Sequence, residues 1–342
     1  MRILFCRPGP FPPDMYAGTE LTVYWLCHRL MAAGHEVAVA AGRRRVAPPA
    51  MDRECGFPVV RSKSIVLSVK VAAANLRPDV YVITETGPWT GVILPIIGEA
   101  PIVIYEHEVA RCTIEAPVEL RSRAIYLANS PATAAHLRQH CDVTATVVRP
   151  LFGVDRYAHI QPRGERVLFV SLQRRKGSDV AIRLAQSRPG ISFVFVESWT
   201  ETPERTQHLR EYVRKVPNIT LLPNQPSLES VFPEIKLHLM PSRSQEAWGR
   251  TATEAQICGI PVLGSSRGNL PATIGPGGVT LDPDEPLELW LHHFDRIMRD
   301  PAFYAELSRK ARAHGRTHIA EANRAYEVFE GALREAMARR AA

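Results

Sequence analysis

Glu246 and Glu254 lie eight positions apart on either side of Gly249, in a segment with the composition of a binding loop. An apolar run ends at Met240, and the spacing that follows predicts a loop and then a helix over Arg250–Ile257. Free amides at the amino end of a helix bind anions. An amide cluster between two carboxylates suits a ligand with phosphate in its middle and hydroxyls at each end, as in a nucleotide-sugar.

A structural explanation of the same residues is a capping box, in which Thr251 and Glu254 close the start of the helix. Glu246 would then be a solvated acid in the loop. The two explanations differ in what they ask of Glu254, which is either a ligand contact or a helix cap.

Short apolar runs predict the buried strands that must position this loop, and their spacing repeats in both halves of the chain. A helix between about Glu20 and Gly34 joins the first two strands, which makes a βαβ unit and a parallel sheet. The predicted strands cover residues 2–6, 37–41, 80–84, 102–105, 125–128 and 146–148, then 167–171, 191–197, 219–223, 237–240 and 261–265.

A stretch rich in proline, glycine and charge at residues 149–166 interrupts this pattern. The fold class predicted is therefore α/β, with two doubly wound, Rossmann-like domains in tandem. Open α/β sheets bind ligands at the carboxyl ends of their strands. The loops after Cys6, Tyr105, Ser171 and Met240 are accordingly where chemistry is expected.

The segment around the two glutamates resembles the retaining glycosyltransferases of the GT-B fold known as family 4, or glycosyl transferases group 1. Pro241-Ser242, the Glu246-to-Gly249 stretch and residues 258–262 carry the likeness. The resemblance implies that two domains face a central cleft. It also implies that Glu246 contacts the donor sugar and Glu254 the ribose, with Trp248, Gly249 and Arg250 at the donor.

Three further segments resemble the same family. Gly18 lies in its glycine-containing entry to the first helix, near the donor phosphate, and His107 occupies its strand end near the donor sugar. Lys176 matches the lysine that neutralises the pyrophosphate. Leu172 stands where the family has an arginine, so Arg174 is the expected substitute. The neighbouring Arg175, and Glu106 beside His107, are expected to be solvated.

Two segments depart from the family pattern. The segment that begins Arg267-Gly268-Asn269 lacks the glutamate that the family often has there. The strand that ends near Val196 continues into Glu197-Ser198 instead of a glycine pair, which weakens any inference about contacts to the nucleobase.

The resemblance implies a retaining transfer of a sugar from a nucleoside diphosphate, with UDP favoured over GDP, to an acceptor hydroxyl in glycan, glycolipid or metabolite biosynthesis. Residues 1–150 would bind the acceptor, residues 151–315 the nucleotide-sugar, and residues 316–342 would form a helix that packs back on the first domain. Two alternatives share this fold: a sugar-nucleotide epimerase or phosphorylase, and an inactive nucleotide-sugar-binding protein. A dehydrogenase is disfavoured because no G-x-G-x-x-G opens a helix.

Composition excludes several other classes. The 342 residues are 45% hydrophobic and 23% charged, as in globular domains, and the net charge of +7 is diffuse. The chain has no stripe in which basic and aromatic residues alternate, so the sequence does not indicate nucleic-acid binding. The six cysteines are scattered without C-x-x-C spacing, and neither a metal nor another cofactor is expected. We expect a cytoplasmic protein without an export signal, with weak peripheral membrane contact through Arg43, Arg44, Arg45, Arg334, Arg339 and Arg340.

Overall fold

The computed structural model describes residues 1–42, 50–109, 118–198 and 203–341. Contacts divide the chain into two compact units. The first unit contains Met1–Phe152 and Ala322–Ala342, and the second contains Gly153–Glu321. The basic run at residues 43–45 and Cys112 lie outside the described residues.

The first unit has a sheet in which eight strands of the described residues pair in the order β3-β4-β2-β1-β5-β6-β7-β8. All neighbours are parallel except β3 and β4, which are antiparallel. The strands are β1 (Arg2–Cys6), β2 (Glu36–Gly42), β3 (Ala50–Asp52), β4 (Val59–Ser62), β5 (Val80–Thr84), β6 (Ile102–Glu106), β7 (Ile125–Ala128) and β8 (Thr146–Val147). The helices are α1 (Gly18–Ala32), α2 (Ile65–Leu76), α3 (Pro88–Ile97), α4 (Val118–Arg123) and α5 (Pro131–Cys141).

The second unit has a parallel sheet in the order β11-β10-β9-β12-β13-β14. Its strands are β9 (Arg166–Val170), β10 (Phe193–Val196), β11 (Ile219–Leu222), β12 (Ile235–Met240), β13 (Val262–Ser265) and β14 (Gly278–Leu281). Its helices are α6 (Val154–Tyr157), α7 (Ser178–Ser187), α8 (Pro203–Arg214), α9 (Arg250–Ile257), α10 (Leu270–Ile274), α11 (Leu287–Arg299) and the start of α12 (Pro301–Ala341).

Both sheets are buried on both faces, which explains why their strands are so apolar. Along β1, Ile3 and Phe5 pack in one core with α1 and α12, whereas Leu4 and Cys6 pack in another with α2 and α3. The second sheet repeats this arrangement, with one core towards α7 and α11 and the other towards α9. The α/β, doubly wound fold class predicted from the sequence is confirmed.

The last part of α12 packs in the core of the first unit. Ala325, Phe329, Leu333 and Ala336 recur at helical spacing and are buried there. The rings of Phe329 and Phe5 stack with their centroids 6.1 Å apart. This burial anchors residues 322–341 to the first sheet.

The sequence pattern did not reveal β3 and β4. Arg61 interrupts the apolar run of β4, yet its side chain is only 3% exposed. Its guanidinium forms an ion pair with Asp52 of β3 and donates to the carbonyl oxygen of Phe11. A buried arginine satisfied by tertiary partners is invisible to a hydropathy pattern.

Candidate functional site

Three loops of the second unit leave the carboxyl ends of neighbouring strands. They follow β9, β12 and β13, which pair directly with one another. Parallel strands present these ends at one edge of the sheet, where ligands bind in open α/β folds. Every site residue predicted in this half, from Arg174 to Glu254, lies in or directly after the first two loops.

Lys176 and Glu246 meet at the centre of this edge. The Lys176 Nζ lies 2.6 Å from Glu246 Oε1, and the Ser242 hydroxyl donates to the same oxygen at 2.6 Å. Glu246 is 9% exposed, whereas the Lys176 side chain is 28% exposed. The structure therefore brings together two residues that the sequence analysis assigned separately to the pyrophosphate and to the sugar.

The environment of Glu246 keeps its carboxylate ionised. Burial alone would raise the pKa of Glu246, but the Lys176 ammonium, the Ser242 hydroxyl and the charge of Arg175 outweigh it and lower the pKa. A buried carboxylate that stays charged can accept hydrogen bonds from ligand hydroxyls or stabilise a nearby positive charge.

Close backbone packing fixes the position of Lys176. Gly177 follows it with a φ of +83°, and a β-carbon there would lie 2.0 Å from the carbonyl oxygen of Pro241. Only glycine lets the loop after β9 approach the loop after β12 so closely. Ser171, the first residue after β9, also has a positive φ of 91°. Strained backbone of this kind clusters at functional sites.

The loop after β13 supports Glu246 from behind. Gly268 has a φ of +60°, and a β-carbon there would lie 2.3 Å from the carbonyl oxygen of Glu246. The amide of Asn269 donates to that same carbonyl at 2.7 Å. In the sequence this segment was noted only as a departure from the family pattern, and the glycine at position 268 was the local indication of a tight turn.

Arg175 is nearer the centre of the site than the sequence analysis expected. Its Nε donates to Gln173 Oε1 at 2.6 Å, and its carbonyl oxygen accepts from the amides of Arg243 and Ser244. Its side chain is half-buried and its charge acts on Glu246, so the expectation of a solvated side chain is wrong. Arg174, the predicted substitute, is exposed in the short 3-10 turn Arg174–Lys176.

Helix α9 begins at Arg250 with Gly249 as its N-cap, at a φ of +91°, and no side chain caps it. The capping-box explanation is therefore wrong: Thr251 already lies inside the helix, and its hydroxyl is 2.9 Å from the Nε2 of the buried His238. Glu254 instead accepts a hydrogen bond from Arg250 Nε at 2.9 Å. Burial raises the pKa of Glu254, although Arg250 opposes this effect.

Trp248 is buried, with its indole amide 3.0 Å from the hydroxyl oxygen of Thr253. Its carbonyl oxygen accepts from the Thr273 hydroxyl at 2.6 Å, and its ring packs edge-on against His318. These contacts hold the loop against α9 and α10.

The two remaining predicted residues, His107 and Gly18, lie in the first unit. His107 follows β6 and is 6% exposed, with its ring centroid 4.1 Å from that of Tyr105. Gly18 is exposed and is the first residue of α1, whose N-cap makes no side-chain hydrogen bond.

Glu106, expected to be solvated, is fully buried, so that expectation is wrong. It accepts hydrogen bonds from the amide and the hydroxyl of Thr86. Burial, assisted by the charges of Glu85 and Glu108, raises the pKa of Glu106 to about 7, and the Thr86 hydrogen bonds oppose the rise only in part.

Within the described residues, no three His, Cys, Asp or Glu side chains are arranged to hold a metal ion. Over the same ranges, none of the helices combines the length and the apolar character that a membrane crossing requires.

Residues 159–314 match the protein family described as Glycosyl transferases group 1. The chain is 30% identical over 168 residues to the D-inositol 3-phosphate glycosyltransferase of Mycobacterium marinum, an alignment that covers 46% of this chain and 36% of that protein. The enzyme of the same name from Segniliparus rotundus is 29% identical over 177 residues, 48% of this chain and 37% of that protein. The alignments thus span little more than a third of these relatives.

Solved structures show the same fold across nearly the whole chain. Sucrose-phosphate synthase from Thermosynechococcus elongatus has a TM-score of 0.80 at 16% identity, covering 96% of this chain and 98% of that one. HepE of Anabaena, in complex with UDP-glucose, has a TM-score of 0.76 at 17% identity, covering 97% of this chain and 100% of that one. The chain has the GT-B fold, as predicted.

Proposed function

We propose that this chain is a retaining, metal-independent glycosyltransferase of family 4 that moves a sugar from a nucleoside diphosphate to an acceptor hydroxyl. The proposal rests on the match of residues 159–314 to glycosyl transferases group 1 and on the site at the carboxyl edge of the second sheet. The observation that carries it is the Lys176–Glu246–Ser242 cluster, in which a half-buried cation lies beside a buried, ionised carboxylate.

Such a cluster suits the charges that develop during transfer. As the bond between the sugar and the diphosphate breaks, positive charge grows at the anomeric carbon and negative charge grows on the departing diphosphate. Preorganised groups of opposite sign stabilise both. Lys176 would face the diphosphate, and Glu246 would hold the sugar hydroxyls beside the anomeric centre.

The start of α9 would bind the rest of the nucleotide. Its first amides follow Gly249 and have no side-chain cap, so they are available to the diphosphate. Arg250 and Glu254 pair within the first turns, and Glu254 would accept a hydrogen bond from the ribose. Arg174 supplies a second, exposed cation near the same edge.

Trp248 would act by positioning. Its indole is already committed to Thr253, so its part in donor binding is to hold the backbone between Glu246 and Gly249. Gly268 and Gly177 act in the same way from the neighbouring loops. A site supported from three directions keeps its geometry within the narrow limits that catalysis requires.

The first unit would contribute His107 and Gly18. His107 follows β6 at the carboxyl edge of its sheet, the place where we expect contact with donor or acceptor. Gly18 leaves the amino end of α1 open to an anion. The acceptor would bind in this unit.

The comparisons favour a UDP-sugar and a polyol acceptor. HepE was crystallised with UDP and with UDP-glucose, and the curated relatives are named for D-inositol 3-phosphate. We infer a UDP-sugar donor and a hydroxyl on a glycan, a lipid-linked glycan or a small polyol as acceptor, with the reaction in the cytoplasm.

A donor screen tests the proposal. The protein is incubated with UDP-glucose, UDP-galactose, UDP-N-acetylglucosamine and GDP-mannose, and release of nucleoside diphosphate is measured with and without inositol phosphate. We expect one UDP-sugar to be consumed, and proton NMR of the product to show the anomeric configuration of the donor. If none of these donors bound to the protein and none was consumed, the proposal would be contradicted.

A further inference from the structure

Charged residues gather at the carboxyl edge of the first sheet. Strands β1, β5 and β6 are neighbours there and end at Cys6, Thr84 and Glu106. Arg7 directly follows β1, and Glu85 directly follows β5. Parallel strands bring such residues together at the edge where open α/β sheets bind their ligands. A ligand of the first unit is therefore expected beside these side chains.

Hydrogen bonds fix two of the carboxyl groups at this edge. The Thr19 hydroxyl donates to Glu85 Oε1 at 2.8 Å, and the amide of Thr86 donates to Glu106 Oε1 at 3.0 Å. Glu85 also has a φ of +64°, a conformation that residues other than glycine adopt uncommonly. The fold thus holds both carboxyl groups in position before any ligand binds.

Glu106 and Arg7 are buried with polar atoms that lack a partner. Glu106 is fully buried, and among the described residues nothing donates a hydrogen bond to its Oε2. Arg7 is 3% exposed and pairs with Glu20 at 2.5 Å through Nη2, whereas its Nε and Nη1 have no acceptor within the same ranges. Buried polar atoms nearly always have partners, so these exceptions call for a bound group.

The charge at this edge is negative. Arg7 is compensated by Glu20, and over the described ranges no lysine, arginine or histidine forms an ion pair with Glu85. Burial raises the pKa of Glu106 to about 7 and also raises the pKa of Glu20, and the charges of Glu85 and Glu108 add to both shifts. Carboxylates that repel one another are stabilised by a positive charge among them. We call Glu85, Glu106 and Glu108 the acidic edge.

We propose that the acidic edge selects an acceptor that carries an ammonium group, such as an amino sugar or an aminocyclitol. The inference rests on the proposed function, in which the first unit binds the acceptor, and the acidic edge lies on both sides of His107. The ammonium would donate to Glu85 and Glu108, and the unpaired Oε2 of Glu106 would accept from the same ligand. The ammonium serves recognition, and the sugar is still transferred to a hydroxyl.

The acidic edge would also reject phosphorylated polyols. The curated relatives are named for D-inositol 3-phosphate, which carries a negative charge. A phosphate beside Glu85 and Glu108 would meet like charges, and repulsion of the wrong partner is a general source of specificity. This chain would therefore differ from those relatives in the charge of its acceptor.

Two charge series test the proposal, each built on one kind of ring. The full chain, saturated with UDP, is titrated calorimetrically with glucosamine, glucose and glucose 6-phosphate. The second series is 2-deoxystreptamine, inositol and D-inositol 3-phosphate. We expect the amine to bind most tightly and the phosphate most weakly in at least one series, and that amine to accelerate consumption of the donor.

Glu85→Gln tests the charge itself, because glutamine keeps an oxygen that accepts from Thr19. Its affinity for the amine should fall by at least about 10-fold, the loss expected for a hydrogen bond to a charged group. Its affinity for the uncharged ring should change much less. Glu99→Gln removes an exposed charge shortly before β6, at the opposite edge of the same sheet, and should bind every probe as the parent does.

Three results would overturn the inference. The first is binding of the phosphate as tightly as the amine, or more tightly, in both series. The second is an equal loss of amine affinity in Glu85→Gln and Glu99→Gln, which would indicate attraction by net charge alone. The third is failure of both amines to bind a parent chain that does bind and consume a donor.

Donor binding and donor hydrolysis without an acceptor are measured separately on the same preparations. They depend on the second unit, so a chain that neither binds nor consumes any donor would contradict the proposed function and this inference together. A working donor site without preference for an amine would contradict this inference alone. Thermal unfolding establishes that both variants fold, and the two charge series on the parent chain decide the question if Glu85→Gln does not.

Discussion

Lys176 and Glu246 are 70 residues apart in the sequence, yet the ammonium of one lies 2.6 Å from the carboxylate of the other. The pair joins the loop after β9 to the loop after β12, and Ser242 donates to the same carboxylate oxygen. Without a ligand, each charge of the site is thus stabilised by the other. With a donor bound, Lys176 would interact both with the diphosphate and with Glu246. Substitutions of Lys176 and of Glu246 are therefore expected to have different effects on nucleotide binding.

Glu246→Gln should lower turnover by roughly 100-fold if a contact to the transition state is lost. It should leave the affinity for UDP unchanged or increase it, because Lys176 no longer shares its charge with a carboxylate. Calorimetric titration with UDP, together with the rate of donor consumption, measures both effects. A marked loss of UDP affinity would place Glu246 at the nucleotide instead of the sugar.

Glu254→Gln is the matched comparison, since it makes the same chemical change eight positions away. It should weaken UDP and the intact donor alike, because both contain ribose, by roughly the 1.5–3 kcal/mol of a hydrogen bond to a charged group. If the two variants bound UDP and donor as the parent does and turned over normally, the donor-site assignment would fail.

Lys176→Ala should weaken UDP binding by about 1.5–3 kcal/mol, the range for a charge-assisted hydrogen bond. Calorimetry against Lys215→Ala, which removes the same charge from an exposed position after α8, separates a direct contact from an effect of net charge. An unchanged dissociation constant for Lys176→Ala would show that the loop after β9 does not reach the diphosphate.

Gly268→Ala should disturb Glu246 without touching any ligand. Its new β-carbon would lie 2.3 Å from the Glu246 carbonyl oxygen, at a φ of +60° that alanine rarely adopts. We expect more than about 1 kcal/mol of destabilisation and roughly 10- to 100-fold slower turnover from a misplaced carboxylate. Urea unfolding and donor consumption measure the two effects.

Gly190→Ala is the control for this substitution, because no atom lies within 4 Å of the position of its new β-carbon. It should leave turnover unchanged and alter the free energy of unfolding by less than about 1 kcal/mol. Equal behaviour of the two variants would mean that the contact between Gly268 and Glu246 does not position the site.

Glu106 should make the stability of the protein depend on pH. Burial raises its pKa from 4.5 to about 7, so between these values the folded chain keeps a proton that the unfolded chain releases. The contribution of Glu106 to the free energy of unfolding is fully present below pH 4.5 and is lost as the pH rises through 7. The total loss is on the order of 3 kcal/mol.

Glu106→Gln should remove this loss, because glutamine still accepts from Thr86 but does not ionise. Urea unfolding at a series of pH values gives the comparison with the parent. Glu119→Gln, at an exposed position on α4, should keep the pH dependence of the parent. An identical pH profile for Glu106→Gln and the parent would show that Glu106 does not titrate in this range.

The sequence alone was sufficient for those features that depend on local pattern. Apolar runs such as that of β1 are continuous because both faces of the sheet are covered, so they predict buried parallel strands. Gly249 marks the start of α9 because a φ of +91° suits glycine. Glu246 lies in the loop before this glycine and Glu254 in the helix after it, so their spacing could be compared with the family pattern from the sequence alone.

Tertiary structure decided what depends on residues far apart in the chain. No local pattern pairs Lys176 with Glu246, places Gly268 against the backbone of Glu246, or buries Arg61 between β3 and the carbonyl group of Phe11. The same holds for Glu106, whose pKa depends on burial by elements distant in sequence. Hydropathy and spacing describe one segment at a time, whereas charge state and close packing are set by whatever the folded sheet brings beside that segment.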